Sequence, residues 1–142
     1  MILCDVNIFV YAYRQDSPKH REILSWLLEQ LAKDQPYGIS EHVLSGFLRV
    51  VTHPKIFNPP SPLDHALQFV DECLGSSNCV RIAPGPRHWE IFVGLCKKVK
   101  TAGNLIPDAY FAALAIESGC TWVTTDYDYS RFPGLDWQHP IP

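Results

Sequence analysis

Short apolar runs alternate with longer amphipathic stretches along almost the whole chain. The apolar runs have the length and composition of buried strands. They fall at residues 2–4, 37–39, 79–82, 122–124 and 135–137. Between them, apolar residues recur at helical spacing, for example at Ile23, Leu27 and Leu31. Strands that alternate with helices form a parallel sheet with helices on both faces. The sequence therefore predicts an α/β fold with a central, mostly parallel sheet of about five strands.

Capping and turn residues predict where the helices begin and end. Ser17, which precedes a proline, is expected to begin the second helix. Ser61 and Asp64 have the spacing of a capping box for the fourth helix. Pro107 is expected to begin the last long helix, and Gly119 to end it. These limits place the candidate functional residues at the ends of strands and helices.

The length of 142 residues suits one hydrophobic core, so we expect a single domain over residues 1–142. The longest uncharged apolar stretch, residues 109–116, is far shorter than the ~20 residues that cross a bilayer. The first residues have no basic segment and reach Asp5 at once, which argues against a secretory signal peptide. We therefore expect a cytoplasmic protein without membrane contact.

The cysteines, the histidines and the net charge narrow the kinds of site that are expected. The five cysteines are scattered without a C-x-x-C pair, and the six histidines contain no H-E-x-x-H pattern, so a zinc site is not expected. The formal net charge of −3 counts against nucleic-acid binding through overall positive charge. It does not exclude a nuclease, because metal ions bound to carboxylates reverse the local sign of the charge.

Acidic residues follow three of the predicted strands. Asp5 ends the first strand, Glu41 lies just beyond the second, and Asp126 and Asp128 follow the fourth. Asp108 lies near the start of the helix that leads into the fourth strand. Because parallel strands deliver their carboxyl ends to one edge of the sheet, where ligands bind, we expect four or five carboxylates to converge there.

Converging carboxylates need a cation. Two of them ~5 Å apart repel by roughly 3 kcal/mol at an effective dielectric constant of ~20. Hard divalent ions with oxygen ligands, chiefly Mg²⁺ or Mn²⁺, suit such a site. Ions of this kind can activate water and stabilise the charge that develops on a phosphodiester. The pattern therefore indicates phosphodiester hydrolysis.

Each carboxylate also has a purely structural interpretation. Asp5 could cap the first helix. Asp108 and Glu41 could be acids in the first turn of a helix, where the helix dipole favours them. Asp126 and Asp128 could be ordinary turn residues. Their shared position at one end of the predicted sheet is what favours a joint role.

Several motifs, taken together, resemble those of PIN-domain ribonucleases. In Leu3-Cys4-Asp5-Val6-Asn7, an Asp ends the first strand and a polar residue follows two positions later. Residues 105–115 place Pro-Asp ahead of repeated alanines, and residues 124–135 contain TTDYDY followed by FPGL. Residues 40–57 are similar to the VapC branch of the family, the toxins of bacterial toxin–antitoxin pairs. The resemblance extends along nearly the whole chain.

The resemblance implies a PIN-like three-layer sandwich and a Mg²⁺- or Mn²⁺-dependent endoribonuclease. It implies an RNA substrate, a cognate small antitoxin that silences the toxin, and a homodimer. Asp5 and Asp108 would be the main metal ligands, Asp126 would complete the cluster with Asp128 beside it, and Asn7 would orient Asp5 or a bound water.

One position departs from the family pattern. The family usually has a glutamate in the helix after the second strand, where this sequence has Gly46. Our hypothesis is that Glu41 replaces that glutamate. The alternative is a catalytically weak PIN-like module that binds RNA or an antitoxin. Arg49 interrupts the apolar face of the same helix, and the sequence leaves open whether it contacts a phosphate or only extends its charge to solvent.

Overall fold

Five parallel strands form the central sheet of the computed structural model, which describes residues 1–142. In chain order they are β1 (Ile2–Cys4), β2 (Tyr37–Ile39), β3 (Cys79–Arg81), β4 (Thr121–Val123) and β5 (Trp137–Gln138). Their spatial order is β3-β2-β1-β4-β5, and every adjacent pair is parallel. The predicted α/β fold with a mostly parallel sheet of about five strands is confirmed.

Six α-helices connect the strands. They are α1 (Val6–Tyr13), α2 (His20–Ala32), α3 (Glu41–Val51), α4 (Leu63–Leu74), α5 (His88–Val99) and α6 (Leu105–Ser118). A 3₁₀ helix, Tyr127–Arg131, follows β4. Connections from β1 through β2 to β3 run in one direction across the sheet, and the connection from β3 to β4 runs back. Right-handed crossovers therefore place α1 to α4 on one face and α5 with α6 on the other. None of these helices combines the length and the apolar character that a membrane span needs.

The strand order reverses at β1, which lies between β2 and β4. Ligands in open parallel sheets bind beyond the carboxyl ends of the strands at such a reversal. Asp5 follows β1 directly, and its backbone N–H donates to Val123 O of β4 at 2.9 Å. The fold thus holds Asp5 at the position where a ligand site is expected.

Close packing of α6 fixes its place beside β4. Four of its alanines are completely buried, namely Ala109, Ala112, Ala113 and Ala115. Small side chains allow neighbouring elements to approach closely, and α6 packs against α5 and β4. This packing holds the start of α6, which carries Asp108, near the carboxyl end of the sheet.

Two predicted caps are wrong. Ser17 does not cap α2, because Lys19 adopts a left-handed conformation and the helix begins at His20. Ser61 makes no capping bond to α4, since its hydroxyl accepts a hydrogen bond from Arg14 at 3.0 Å. The left-handed Lys19 turns the chain just before α2, whereas at α4 the cap position is taken by Pro62, which has no side-chain group to accept a hydrogen bond.

Other boundaries moved by one or two residues. The last helix begins at Leu105, so Pro107 lies within its first turn, where a missing N–H is tolerated. Gly119 ends that helix with a φ of +69°, as predicted. The fifth strand lies at Trp137–Gln138, slightly later than predicted.

Candidate functional site

A cleft at the carboxyl end of the sheet contains three of the predicted carboxylates. Asp5, Asp108 and Asp126 all line it, and its volume is about 550 Å³. The cleft is also lined by Asn7, His42, Gly46, Arg49, Ile56, Phe57 and Tyr129. The expectation that acids from distant parts of the chain converge at this edge is met by these three.

Asp5 is buried, with 6% of its surface exposed, and it is held by hydrogen bonds on both oxygens. Its Oδ1 accepts from the backbone N–H of Val6 at 2.7 Å, so it does cap α1. Its Oδ2 accepts from the Thr124 hydroxyl at 2.7 Å and from the Asn7 side-chain amide at 3.2 Å. The capping interpretation and a place in the cleft therefore hold together for this residue.

Burial and neighbouring carboxylates raise the pKa of Asp5 and of Asp108. Burial, and then the charges of Asp108 and Asp126, raise the pKa of Asp5 to about 6, although hydrogen bonds from Thr124 and Val6 act in the opposite direction. Burial, with the charges of Asp126 and Asp128, also raises the pKa of Asp108. The cleft thus disfavours the ionised forms of Asp5 and Asp108, which a bound cation would favour.

Asn7 and Thr124 tie Asp5 to β4. The Asn7 amide donates to Thr124 Oγ1 at 3.1 Å as well as to Asp5, and its Oδ1 accepts from the backbone N–H of Thr125 at 3.2 Å. Thr124 is completely buried and also accepts from the backbone N–H of Asp126 at 3.0 Å. The sequence pattern predicted no role for Thr124. Its place two residues before Asp126, directly after a buried strand, was the available signal.

Tyr129 holds Asp108 and was likewise missed. Its hydroxyl donates to Asp108 Oδ1 at 3.3 Å, and its ring is buried beneath the cleft. Burial and the nearby carboxylates raise the pKa of Tyr129, so the hydroxyl stays protonated and keeps donating. The tyrosine repeat around Asp126 and Asp128 gave no sequence signal for this contact, because α6 is far away in the chain.

Asp126 and Asp128 differ in position. Asp126 lines the cleft and caps the 3₁₀ helix, where its Oδ1 accepts from the backbone N–H of Asp128 at 2.9 Å. Asp128 does not line the cleft, and its carboxylate lies 3.8 Å from Arg131 Nε. The 3₁₀ turn between them directs the second carboxylate outward, so the structure does not place Asp128 among the expected metal ligands.

Glu41 lies outside the cleft. Its exposed carboxylate accepts a hydrogen bond from Arg81 Nη1 at 2.8 Å. Arg81 ends β3, the neighbour of β2, and therefore lies beside the first turn of α3. The structure corrects the hypothesis that Glu41 replaces the family glutamate. The carboxylate of Glu41 binds Arg81 on the β3 side of β2, whereas the cleft lies at β1 and β4.

The packing around Gly46 explains why no side chain is present there. A Cβ on Gly46 would lie 2.9 Å from Val6 Cγ2, closer than real Cβ contacts, and a β-branched valine has little freedom to move. Helices α1 and α3 therefore approach each other through this glycine. A glutamate at this position would require α1 or Val6 to shift.

The donor chemistry of the cleft fits a hard divalent ion, although no closed ligand cage is present. No three acidic, histidine or cysteine side chains lie close enough to hold a metal ion as a group. Asp5, Asp108 and Asp126 nevertheless offer only oxygen donors to one cleft, and the pKa values of Asp5 and Asp108 are raised there. Mg²⁺ commonly keeps several waters and contacts only one or two carboxylates. The residues therefore fit a hydrated ion better than a fully protein-coordinated one.

Comparison with known proteins identifies relatives along the whole chain. VapC ribonuclease Mb2897 of Mycobacterium bovis is 42% identical over 142 residues, which cover 99% of this chain and 96% of that protein. Ribonuclease VapC25 of Mycobacterium tuberculosis is 39% identical over 135 residues, which cover 95% of both chains.

Solved structures share the fold. VapBC2 from Rickettsia felis, bound to a promoter DNA fragment, matches with a TM-score of 0.72 and 24% identity over 98% of each chain. VapC20 of Mycobacterium tuberculosis, described as a toxin that cleaves the sarcin–ricin loop, matches with a TM-score of 0.64 and 13% identity, over 96% of this chain and 99% of that one. A PIN domain is matched over residues 2–135. With that match and with full-length relatives at this identity, the chain belongs to the PIN-domain family.

Proposed function

We propose that the protein is a metal-dependent endoribonuclease and the toxin of a toxin–antitoxin pair, which hydrolyses RNA phosphodiester bonds. The observation that carries the proposal is the meeting of Asp5, Asp108 and Asp126 in one cleft at the reversal point of the sheet. Relatives that are 38–42% identical over almost the full chain bear the name VapC ribonuclease. The carboxylates of the cleft and the sequence identity to these relatives support the same activity.

The three carboxylates would hold a hydrated Mg²⁺ or Mn²⁺, directly or through its waters. When bound, such an ion polarises phosphoryl oxygens and lowers the pKa of water. The protein's own contribution is to fix the ligands. Thr124 and Asn7 hold Asp5 through its Oδ2, and Tyr129 holds Asp108 through its Oδ1, which leaves Asp108 Oδ2 free of hydrogen bonds within the protein.

The partners follow from the same relationship. Matching solved structures are VapBC complexes, in which a VapC chain is present with VapB. We propose a small cognate antitoxin as the protein partner of this chain, with RNA as the substrate. We also propose a homodimer, a cytoplasmic location and a single domain over residues 1–142.

A catalytically weak PIN-like module that binds RNA or an antitoxin is the second candidate. The observation that favours it is the lack of an acid on the α3 wall of the cleft, since Gly46 has no side chain and Glu41 pairs with Arg81. An enzyme of this shape would rely on the three remaining carboxylates alone.

A cleavage assay separates the two candidates. Purified protein is incubated with a fluorescent RNA in Mg²⁺ or Mn²⁺, with and without excess chelator. Asp5→Asn is compared with Asp71→Asn, a matched change on the exposed surface of α4. We expect wild type and Asp71→Asn to cleave only with metal, and Asp5→Asn to lose more than the roughly 10- to 100-fold typical of groups that merely orient a metal ligand. Equal residual cleavage in all three proteins would contradict the nuclease proposal.

A further inference from the structure

Arg49 provides the only permanently positive side chain in the wall of the cleft. It lies three residues after Gly46 and seven after His42 on α3, and this spacing places all three on one face of the helix. That face forms the wall where family members usually carry an acid. A positive charge therefore occupies part of a cleft that otherwise contains three carboxylates.

The guanidinium of Arg49 has no partner in the structure. The other arginines near the sheet ends are paired: Arg14 with Asp16, Arg81 with Glu41 and Arg131 with Asp128. Arg49 makes neither an ion pair nor a hydrogen bond. The charges that act on Asp5 are those of Asp108 and Asp126, with no offset from an arginine. Arg49 is thus set apart from the carboxylates, and its donors are available to a ligand.

Apolar surface lies beside Arg49. Ile56, which is 49% exposed, and Phe57 line the same cleft. Phe57 is held in place by Arg14, whose guanidinium carbon lies 4.2 Å from the ring centroid. Arg14 is itself fixed by Asp16 and by Ser61. A cation beside a fixed apolar surface suits a nucleotide, which presents a phosphate next to a ribose and a base.

Gly46 leaves the middle of this wall open. Its Cα lies between the levels of His42 and Arg49 on α3, and no side chain projects from it into the cleft. The cleft therefore contains both the carboxylates and Arg49 without a side chain of residue 46 between them.

We propose that Arg49 binds a backbone phosphate of the RNA next to the one that is cleaved, while Ile56 and Phe57 contact the adjoining ribose or base. This inference rests on the proposed function and adds a substrate subsite to it. The free guanidinium on the cleft wall, beside the held aromatic ring, carries the inference.

The test measures RNA binding and cleavage separately. Binding of a fluorescein-labelled single-stranded RNA is followed by anisotropy in chelator, at several salt concentrations, for wild type, Arg49→Ala, Arg49→Lys and Arg21→Ala. Arg21 is an exposed arginine of α2 outside the cleft and serves as the matched control. Urea unfolding of each variant verifies that the fold is retained.

We expect Arg49→Ala to weaken binding by about tenfold, the effect of losing one charge-assisted contact. The slope of log K against log salt should fall by about 0.7, the value for one phosphate on a single strand. Arg49→Lys should keep the slope, because it keeps the charge, and Arg21→Ala should match wild type. With Mg²⁺, Arg49→Ala should raise KM more than it lowers kcat.

Two failures remain distinguishable. If wild type cleaves RNA and Arg49→Ala binds with the affinity and salt slope of Arg21→Ala, the subsite is refuted and the nuclease function stands. If wild type does not cleave, yet Arg49→Ala still loses affinity and slope, the nuclease function is refuted and only the phosphate contact of Arg49 with bound RNA stands. Absence of RNA binding by wild type would overturn the subsite as well.

Discussion

Replacing Asp5 by asparagine should remove a destabilisation of the metal-free protein that grows as the pH rises towards neutrality. The substitution keeps an oxygen that can accept from the Val6 N–H, and asparagine is as good a helix cap as aspartate. It removes a negative charge that is buried and faces Asp108 and Asp126. The substitution therefore changes the charge of Asp5 while keeping its capping bond to α1.

The expected size follows from the pKa of Asp5. Folding raises this pKa from 3.8 to about 6, so the folded state binds more protons than the unfolded state between those values. Stability then falls as pH rises through this window, and is highest where the carboxyl is protonated. At roughly 1.36 kcal/mol per pKa unit, the ionised carboxylate destabilises the fold by about 3 kcal/mol. About 2 kcal/mol of this develops between about pH 4.5 and pH 7.5.

Urea unfolding in chelator, at several pH values, measures this effect. The difference in unfolding free energy between Asp5→Asn and wild type should grow by about 2 kcal/mol from about pH 4.5 to pH 7.5 in favour of the variant. Using the difference cancels the titration of groups that both proteins share. A difference that stays constant with pH would contradict this expectation, since it would mean that folding does not raise the pKa of Asp5.

Three further variants test other parts of the site. Asp108→Asn should abolish RNA cleavage in Mg²⁺, and in chelator the variant should resist urea unfolding at least as well as wild type. A clear loss of stability would instead support a purely structural role for Asp108 in the first turn of α6. Thr124→Val removes the hydroxyl that donates to Asp5 Oδ2, and should destabilise the fold by about 1–3 kcal/mol in urea unfolding; an unchanged midpoint would show that the bond contributes little. Gly46→Glu should not raise cleavage and should destabilise the fold by about 1–3 kcal/mol because its Cβ meets Val6, whereas combining it with Val6→Ala should recover part of that loss.

The alternation of apolar runs and amphipathic stretches was sufficient to predict the parallel sheet. It was also sufficient to bring Asp5, Asp108 and Asp126 together, because strand ends and helix starts at one edge of such a sheet meet there. What the sequence could not show was the direction of each side chain. Arg81 draws Glu41 away from the cleft, and the 3₁₀ turn after Asp126 directs Asp128 towards Arg131.

Contacts between distant segments were the other unpredictable part. Thr124 and Tyr129 support Asp5 and Asp108 from opposite ends of one motif, and neither contact follows from local sequence pattern. The missing acid at Gly46 looked like a lost ligand in the sequence. In the structure it is also a packing requirement, since α1 approaches α3 at this point through Val6.

Direct binding of Mn²⁺ tests the central claim, which is that the three carboxylates form one cation site. The loss of the free-ion electron paramagnetic resonance signal gives the bound Mn²⁺ for wild type, Asp5→Asn, Asp108→Asn and the surface control Asp71→Asn. A single cation site in the cleft predicts saturable binding by wild type and Asp71→Asn, and strongly weakened binding by both cleft variants. Equal Mn²⁺ binding by all four proteins, or none by wild type, would contradict it.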